Sequence, residues 1–425
     1  MKSFLLNTWS GKILIIVILL ISFWFLISKN IFDVEDELIK KYPTLEKKFD
    51  GNLLSSDSLI RNLENNYNVK FLPKTQFTNI NYKKVKVNFN KHIKNLSGTF
   101  FIELENSNIW LIDGNGNIFK TKINNLLNLK NNDLLDIDKI EGNLKDVKIL
   151  DAHLYEDILY VYFSEIIDGC KTINISSSSI KKDTLEFKKV FDSNECQENE
   201  IQLGKLTYYN HQGVPGLLVA TNFFIRDEPK KYLSQDDNSV FGKILFFDLK
   251  NFKKTLFSKG HRAPQGLYAE NDLILSTEHG PKGGDEINKI VFGENYGWPI
   301  ASYGDYYMEE NNTSSDKFSE KPFYLKSHAK NNFKEPIYAY VPSIGISEII
   351  RLPNNFSNHF IDNFLIASLN GKSIYRVKFD KNYNKIYFSE KIFIGNRIRD
   401  IKYHYDTKTI LLGLEYKGEI GILEK

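Results

Sequence analysis

Residues 108–123 read NIWLIDGNGNIFKTKI, two apolar runs joined by a short polar turn. The turn, Asp113-Gly114-Asn115-Gly116, has the residues that a β-hairpin needs, because glycine and asparagine adopt positive φ angles at low cost. The apolar run on each side predicts a short strand. The segment therefore predicts a β-hairpin, and its pattern recurs through most of the chain.

The same pattern continues from about residue 85 to the C terminus. Short apolar runs separated by turn residues predict further strands, namely GTFFIEL at 98–104, ILYVYFSEI at 158–166, GLLVATNFF at 216–224, GKILFFDL at 242–249, DLILST at 272–277, NFLIASL at 363–369, SIYRVKF at 373–379 and TILLGLEY at 409–416. Many short strands without a long amphipathic helix between them indicate an all-β sandwich or propeller. About 340 residues of such sequence is too long for a typical sandwich and favours the radially repeated four-stranded blades of a β-propeller.

The N-terminal part of the chain has a different composition. Residues 13–28, ILIIVILLISFWFLIS, form an uncharged run with Lys2 and Lys12 on its N-terminal side, as in a signal peptide or signal anchor. No small-residue cleavage pattern follows, so we expect residues 1–30 to be an uncleaved transmembrane helix. The rest of the chain would then lie outside the cytoplasm, on the periplasmic or extracellular side. Residues 31–84 show helical spacing and predict a helical stalk or collar, which leaves residues 85–425 for the propeller.

The overall composition is that of a folded protein. Hydrophobic residues make up 42% of the chain and charged residues 26%, which excludes a mainly disordered protein. Lys and Arg total 56 against 53 for Asp and Glu, so the net charge of +3 gives no electrostatic signal for nucleic-acid binding. The two cysteines, Cys170 and Cys196, are a disulfide candidate in an exported protein, and two buried thiols are the alternative.

The loops with the richest chemistry lie between residues 260 and 303, GHRAPQGLYAENDLILSTEHGPKGGDEINKIVFGENYGWPIASY. Clustered glycine and proline residues fix turns and let the backbone approach a ligand closely, although a plain surface loop is the alternative. Arg262 is suited to a planar carboxylate, and residues 278–286 offer carbonyl and carboxylate oxygens to Ca²⁺. Farther along, Arg397 and Arg399 are spaced i, i+2 and so point to the same side of a strand.

Together these motifs resemble the signature of the glucose/sorbosone dehydrogenase family, soluble aldose dehydrogenases that use pyrroloquinoline quinone (PQQ) and calcium. The resemblance also rests on SQD at 234–236 with GKIL at 242–245, on SIYRVK at 373–378 and on NRIRD at 396–400, in the family's order. It extends from about residue 170 to the C terminus. It implies an all-β, six-bladed β-propeller and an enzyme that oxidises an aldose at C1 to the lactone. Together with the expected N-terminal helix, this predicts a membrane-anchored, outward-facing quinoprotein.

The resemblance also implies roles for individual residues. PQQ is a flat tricarboxylate, and the family positions that clamp it fall on Arg262, Arg397 and Arg399. Two further pairs of positions correspond to calcium sites: the backbone carbonyls of Gly280 and Pro281 would face the calcium that polarises the quinone, and Glu286 and Tyr296 match positions that hold a calcium in related members. A dication there stabilises charge as the sugar is oxidised. The substrate would be a small sugar, and the sequence does not identify the electron acceptor.

The sequence departs from the family's pattern at the general base. A histidine in a His-x-Gly-Gly-Arg-like strand usually takes the proton of the sugar hydroxyl, and Ile201 stands at that position here. Ala263 replaces the usual asparagine after the clamping arginine, and the expected lysine falls on Asn370. The candidates to replace missing partners are Lys372, His211 and His279. A non-catalytic propeller that binds a carbohydrate, a small carboxylate or an envelope partner is therefore an alternative function, and a structural envelope protein is a third.

Overall fold

The computed structural model describes residues 80–93, 99–197, 201, 204–223, 232–305 and 324–425. The predicted membrane anchor and nearly all of the predicted stalk lie outside these residues, so both stay predictions. In the part of the chain that is described, no helix is long and apolar enough to cross a membrane. All described residues belong to one compact unit, Leu72–Lys425.

Within the described ranges, 26 strands form six sheets, which are the blades of the propeller. Blade I contains β2 (Phe100–Glu105), β3 (Asn108–Asp113), β4 (Ile118–Lys122), β6 (Asp138–Gly142) and, at its edge, β10 (Thr184–Leu185). Blade II contains β7 (Val147–Tyr155), β8 (Ile158–Ile167), β9 (Cys170–Ser179) and β11 (Lys188–Asp192). Blade III contains β12 (Lys205–His211), β13 (Val214–Ala220), β14 (Lys243–Asp248) and β15 (Lys254–Lys259).

The C-terminal half supplies the other three blades. Blade IV contains β16 (Pro264–Glu270), β17 (Leu273–Glu278), β18 (Asp285–Lys289) and β19 (Tyr338–Tyr340). Blade V contains β20 (Ile346–Arg351), β21 (Phe364–Ser368), β22 (Ser373–Phe379) and β23 (Ile386–Phe393). Blade VI contains β24 (Ile398–His404), β25 (Thr409–Leu414), β26 (Glu419–Glu424), β1 (Asn81–Val87) and β5 (Leu134–Leu135). The described part has one short α-helix, α1 (Ile123–Leu127), besides a few single-turn 3-10 helices.

Both ends of the described chain meet in blade VI and close the ring. Strand β1 pairs antiparallel with β26, with Asn81 opposite Glu424 and Lys86 opposite Glu419. This closure removes the two open sheet edges that the first and last blades would otherwise expose. Because β1 begins at Asn81, the propeller includes residues 81–84, which the sequence placed at the end of the stalk.

Hydrophobic clusters lie between neighbouring blades. In one, Trp110 of β3 and Val161 of β8 are among the buried residues that join blades I and II. In another, Leu412 of β25 and Ala367 of β21 join blades V and VI. Each blade buries apolar side chains on both faces in this way, which explains the apolar runs that predicted β8, β13, β14, β17, β21, β22 and β25. The all-β propeller prediction is therefore confirmed.

Cys170 and Cys196 form the predicted disulfide bond, with 5.5 Å between their Cα atoms. That separation is in the usual range for a disulfide. The bond ties the beginning of β9 to the segment that follows β11, at the outer side of blade II.

The innermost strands of the six blades are β2, β7, β12, β16, β20 and β24, and each packs against the inner strand of the next blade. All six inner strands run in the same direction along the channel axis, because each blade begins with its inner strand and its strands then alternate in direction. We call the face where these strands begin the mouth. Four of the six have a change of register close to the mouth, in β7, β16, β20 and β24.

Candidate functional site

The mouth contains the residues that the sequence singled out. Arg262 lies two residues before β16, and Arg397 and Arg399 lie at the beginning of β24. Residues 279–284 follow β17, which ends at the mouth because it runs antiparallel to β16. Loops distant in the sequence thus meet at one end of the central channel.

Arg397 and Arg399 share the carboxylate of Glu415. The Nε of Arg397 donates to Oε2 at 2.7 Å, and Nε and Nη2 of Arg399 donate to Oε1 at 3.1 and 2.5 Å. Glu415 follows β25, and its backbone N–H donates to the carbonyl of Arg397 at 3.0 Å. Burial by itself would raise the pKa of Glu415, but the two arginines together lower it. The carboxylate is therefore charged, and it orders both guanidinium groups.

Arg399 also reaches a residue of another blade. Its Nη1 donates to the side-chain oxygen of Gln265 at 2.7 Å, and both side chains are buried. Each residue lies at a change of register, Gln265 between Pro264 and Gly266 and Arg399 between Ile398 and Asp400. Such bulges change the direction of a side chain next to a site, here into the mouth.

Arg262 is held from several sides. Its Nη1 donates to the carbonyl of His279 at 2.8 Å, and its guanidinium lies 5.2 Å from the ring centre of Trp298. The backbone N–H of Arg262 donates to Glu278 at 3.2 Å. A small cavity opens here, and its lining includes the side chains of Arg262, Glu278, His279, Glu286 and Trp298.

The three arginines face one mouth. Burial, together with the positive charges of Arg399 and Arg262, lowers the pKa of His279 to about 4, although the negative charge of Asp285 opposes this shift. Both arginines are therefore close enough to affect the same imidazole. Since Arg397 and Arg399 share Glu415, all three guanidinium groups gather at this end of the channel, and none of them lies on an outer face of the ring.

The loop after β17 presents the carbonyl oxygens that the sequence assigned to calcium. Neither carbonyl, of Gly280 or of Pro281, accepts a hydrogen bond from a residue that the structure describes. The carboxylate of Asp285 shapes this loop, because it accepts from the backbone N–H groups of Gly280, Ile344 and Ile346 at 3.2, 3.0 and 2.9 Å. Asp285 thus has a structural role, and the carbonyls remain available to a cation.

Glu286 and Tyr296 line the same cavity as Arg262. Burial, with the negative charge of Glu278 nearby, raises the pKa of Glu286 to about 8. The hydroxyl of Tyr296 is used internally, since it donates to the carbonyl of Lys289 at 2.5 Å and accepts from the N–H of Val291 at 3.0 Å. Among the described residues, no group of three or more His, Cys, Asp or Glu side chains is arranged to hold a metal ion.

The position of the family's general base is apolar. Ile201 is 2% exposed and belongs to the hydrophobic cluster between blades II and III, together with Tyr162 and Phe223. His211 is the last residue of β12, at the end of the channel opposite the mouth, where its ring packs against Phe257. Neither residue can act on a ligand at the mouth.

Two of the candidate replacements do lie near the mouth. The Nε2 atom of His279 is buried without a hydrogen-bond partner among the described residues. Lys372 follows β21, and its carbonyl accepts from the N–H groups of Ile394 and Gly395, just before Arg397. At the two other positions that differ from the family's pattern, Ala263 is fully buried and Asn370 is exposed.

Below the mouth, buried ion pairs cross the channel. Lys205 of β12 contacts Asp151 of β7 at 2.8 Å and Glu348 of β20 at 2.5 Å, so one ammonium group joins blades II, III and V. Lys402 of β24 contacts Glu103 of β2 at 2.7 Å. Burial raises the pKa of Asp151 to about 6, and Lys205 opposes that rise. These charges fill the axis and support the floor of the mouth.

Sequence reasoning gave no role to Glu415, Gln265 or the channel lysines. Glu415 ends the apolar run TILLGLEY, and Gln265 lies in the loop motif with Arg262. The acidic Glu415 at the end of an apolar run could have been noticed in the sequence. Its partners Arg399 and Arg397, however, lie 16 and 18 residues away. Only the register of β24 against β25 brings them together.

The comparisons with known proteins agree with this geometry. The family Glucose / Sorbosone dehydrogenase matches residues 91–421. An uncharacterized protein of Synechocystis sp., slr1608, is 27% identical over 191 residues, 44% of this chain and 43% of that protein, so the match covers less than half of that relative. The aldose sugar dehydrogenase YliI of Escherichia coli is 25% identical over 306 residues, 66% of this chain and 76% of that protein.

Solved structures share the fold. The apo form of the soluble aldose sugar dehydrogenase from Escherichia coli superimposes with a TM-score of 0.63 at 18% identity, covering 81% of this chain and 99% of that chain. The PQQ-bound form of an aldose sugar dehydrogenase from Streptomyces coelicolor gives a TM-score of 0.52 at 16% identity, covering 83% and 99%.

Fold and site thus define a six-bladed β-propeller whose mouth gathers arginine side chains. The chain belongs to the glucose/sorbosone dehydrogenase family.

Proposed function

We propose that this protein is a PQQ-dependent dehydrogenase that oxidises an aldose at C1 to the lactone. The convergence of Arg262, Arg397 and Arg399 at one mouth carries this proposal. Guanidinium groups pair with carboxylates through two parallel hydrogen bonds, so three of them suit a flat tricarboxylate. The PQQ-bound Streptomyces neighbour, which has the same fold, supports this choice of cofactor.

The residues present fit the cofactor and calcium. Arg262, Arg397 and Arg399 would hold the carboxylates of PQQ, and the unused carbonyls of Gly280 and Pro281 offer the hard oxygen ligands that Ca²⁺ favours. Glu286 and Tyr296 would hold calcium in the cavity that Arg262 also lines. When bound, PQQ supplies the electron acceptor for the two-electron oxidation of the sugar.

The protein itself supplies a pre-ordered anionic pocket. Glu415 and Gln265 fix Arg399, while the carbonyl of His279 and the ring of Trp298 fix Arg262. Buried ion pairs cross the channel below the mouth. Such pre-ordering reduces the entropy that the protein loses when it binds a ligand.

A second candidate function is a non-catalytic propeller that binds a carbohydrate, a small carboxylate or an envelope partner at the same mouth. The apolar surroundings of Ile201 favour it, because no proton acceptor stands at the family's base position. Loss of a general base lowers an enzyme's rate by about 10²- to 10⁴-fold.

We also propose that the protein is anchored in a membrane by residues 1–30, with the propeller outside the cytoplasm. The disulfide between Cys170 and Cys196 supports this location, because such bonds persist mainly in oxidising compartments. A C-terminal alkaline phosphatase fusion tests it, since that reporter is active only outside the cytoplasm, and an inactive but intact fusion would reject the location.

Reconstitution of the purified full-length chain with PQQ and Ca²⁺ tests the enzymatic function. We expect a cofactor-dependent absorbance change, and dye reduction when aldoses are added. Both should be lost in Arg262→Ala and retained in Arg351→Ala, a control whose guanidinium pairs with Glu270 and Asp362. Cofactor binding without oxidation of any aldose would favour the non-catalytic alternative, and no binding at all would reject the quinoprotein proposal.

A further inference from the structure

We infer that Glu415 is a positioning residue that directs the guanidinium groups of Arg397 and Arg399 toward an anionic ligand at the mouth. This assignment rests on the proposed function, in which that ligand is the tricarboxylate PQQ. Glu415 does not need to touch the ligand, because it acts through the two arginines.

The first support is that the two carboxylate oxygens of Glu415 contact different arginines. One oxygen of Glu415 accepts from Arg397, and the other accepts two hydrogen bonds from Arg399. Arginine side chains are long and lose much rotamer freedom when they are ordered. A single buried anion that engages both therefore fixes their relative placement, which recognition of a planar ligand requires.

The second support is that Glu415 is itself fixed. It is 5% exposed, and its backbone N–H donates to the carbonyl of Arg397. The main chain and the side chain of Glu415 thus contact the same arginine. Movement of the turn after β25 would displace Arg397 and Arg399 together.

The next residue of the turn contacts Arg397 from another side. Tyr416 has a φ of +68°, in the left-handed region that non-glycine residues seldom adopt, and its ring centre lies 5.4 Å from the Arg397 guanidinium. Tyr416 is 68% exposed, whereas Glu415 is buried, so Arg397 lies between a buried carboxylate and an exposed ring. Backbone conformations of this kind often persist at binding sites.

A different role for Glu415 makes the opposite prediction. If its charge only competed with the ligand for the arginines, removing that charge would strengthen the binding of an anion. If Glu415 positions the arginines, removing it weakens binding even though the mouth becomes more positive. The sign of the change therefore separates the two roles.

The test compares Glu415→Gln, Glu415→Asp and the control Glu419→Gln in the full-length chain, with PQQ as the probe. Glu419 is also 5% exposed, but its salt-bridge partner is Lys84 and not an arginine of the mouth. We expect the dissociation constant for PQQ, measured by equilibrium dialysis, to rise about tenfold or more in Glu415→Gln. Glu415→Asp should also bind more weakly, since the shorter side chain cannot reach both arginines. Unchanged or tighter binding by Glu415→Gln would overturn the assignment.

A second measurement does not depend on PQQ. Phenylglyoxal modifies accessible arginines, and peptide mass spectrometry measures the modified fraction of Arg397 and Arg399. We expect several-fold more modification of both in Glu415→Gln than in the wild type or Glu419→Gln. If their reactivity is unchanged, the positioning role is wrong. Failure of the wild type to bind PQQ would reject the proposed cofactor, while the modification experiment would still decide the role of Glu415.

Glu415→Asp covers the case in which Glu415→Gln does not fold. It retains the buried negative charge, and thermal unfolding shows whether the propeller is intact. In a folded Glu415→Asp protein, wild-type reactivity of Arg397 and Arg399 together with wild-type affinity for PQQ would also contradict the positioning role.

Discussion

Arg399 donates a 2.7 Å hydrogen bond to Gln265, although their strands, β24 and β16, belong to blades that are not neighbours. Strand β20 of blade V lies between them in the ring. Both residues lie at bulges, which direct their side chains across the mouth. The contact therefore connects two sides of the mouth directly, in addition to the packing between adjacent blades.

Replacing Gln265 with leucine should weaken this connection. The Nη1 atom of the buried Arg399 would lose its acceptor, and a hydrogen bond to a charged group is worth about 1.5 to 3 kcal/mol. We expect the free energy of unfolding, measured with urea, to fall by about that amount, and the affinity for PQQ to fall several-fold. Gln265→Glu keeps an acceptor and should retain stability. Equal stability of the leucine and glutamate variants would show that the contact does not contribute.

Removing Lys205 should destabilise the channel strongly. Lys205→Met leaves Asp151 and Glu348 buried without their shared cation, and breaking a buried ion pair from one side costs about 3 to 5 kcal/mol. Denaturant unfolding measures this loss. Lys181→Met is the matched control, because Lys181 pairs with Asp157 on the surface, where solvent screens ion pairs and they contribute little to stability. Similar losses in both variants would mean that the channel network is not important for stability.

Asp151 gives a prediction about pH. Burial raises its pKa from 3.8 to about 6, so the folded protein binds this proton more tightly than the unfolded chain does. The contribution of Asp151 to the free energy of unfolding is therefore largest below pH 4 and decreases as the pH rises to 6. Asp151→Asn removes this contribution. Urea unfolding between pH 4 and 7 should show a difference between wild type and variant that changes over this interval, and a constant difference would contradict the raised pKa.

The sequence predicts the middle strands of the blades more clearly than several of the inner ones. Strands such as β8 and β14 bury apolar side chains on both faces, and their apolar runs are visible in the sequence. Inner strands such as β12 and β20 place Lys205 and Glu348 toward the channel, which interrupts the apolar pattern. These charges are buried only because the closed ring pairs them, and periodicity along one strand contains no information about closure.

In the candidate site, too, the sequence predicts some residues, and only the fold shows the others. Family motifs in the sequence locate Arg262, Arg397 and Arg399, and the structure places them at one mouth. Their partners, Glu415 and Gln265, depend on strand register and on bulges, which local sequence patterns do not determine. The apolar packing of Ile201 likewise depends on contacts between two blades.

Gly280→Ala should disrupt the loop whose carbonyls are proposed to face calcium. A Cβ atom at Gly280 would lie 2.1 Å from the carbonyl oxygen of Gly284, closer than any real contact, so the backbone of the loop must shift. We expect the affinity for PQQ in the presence of Ca²⁺ to fall at least about tenfold, because a displacement of about 1 Å at a pre-ordered site has effects of this size or larger.

Gly142→Ala is the matched control for this substitution. Gly142 has no positive φ, and a Cβ atom there meets its nearest neighbour, the carbonyl oxygen of Leu185, at an ordinary 3.4 Å. Both variants replace a glycine of the same propeller with alanine. Gly280 lies in the loop after β17, whereas Gly142 is the last residue of β6. Wild-type affinity for PQQ in Gly280→Ala, with calcium present at equal concentration, would show that the carbonyls of Gly280 and Pro281 do not take part in binding.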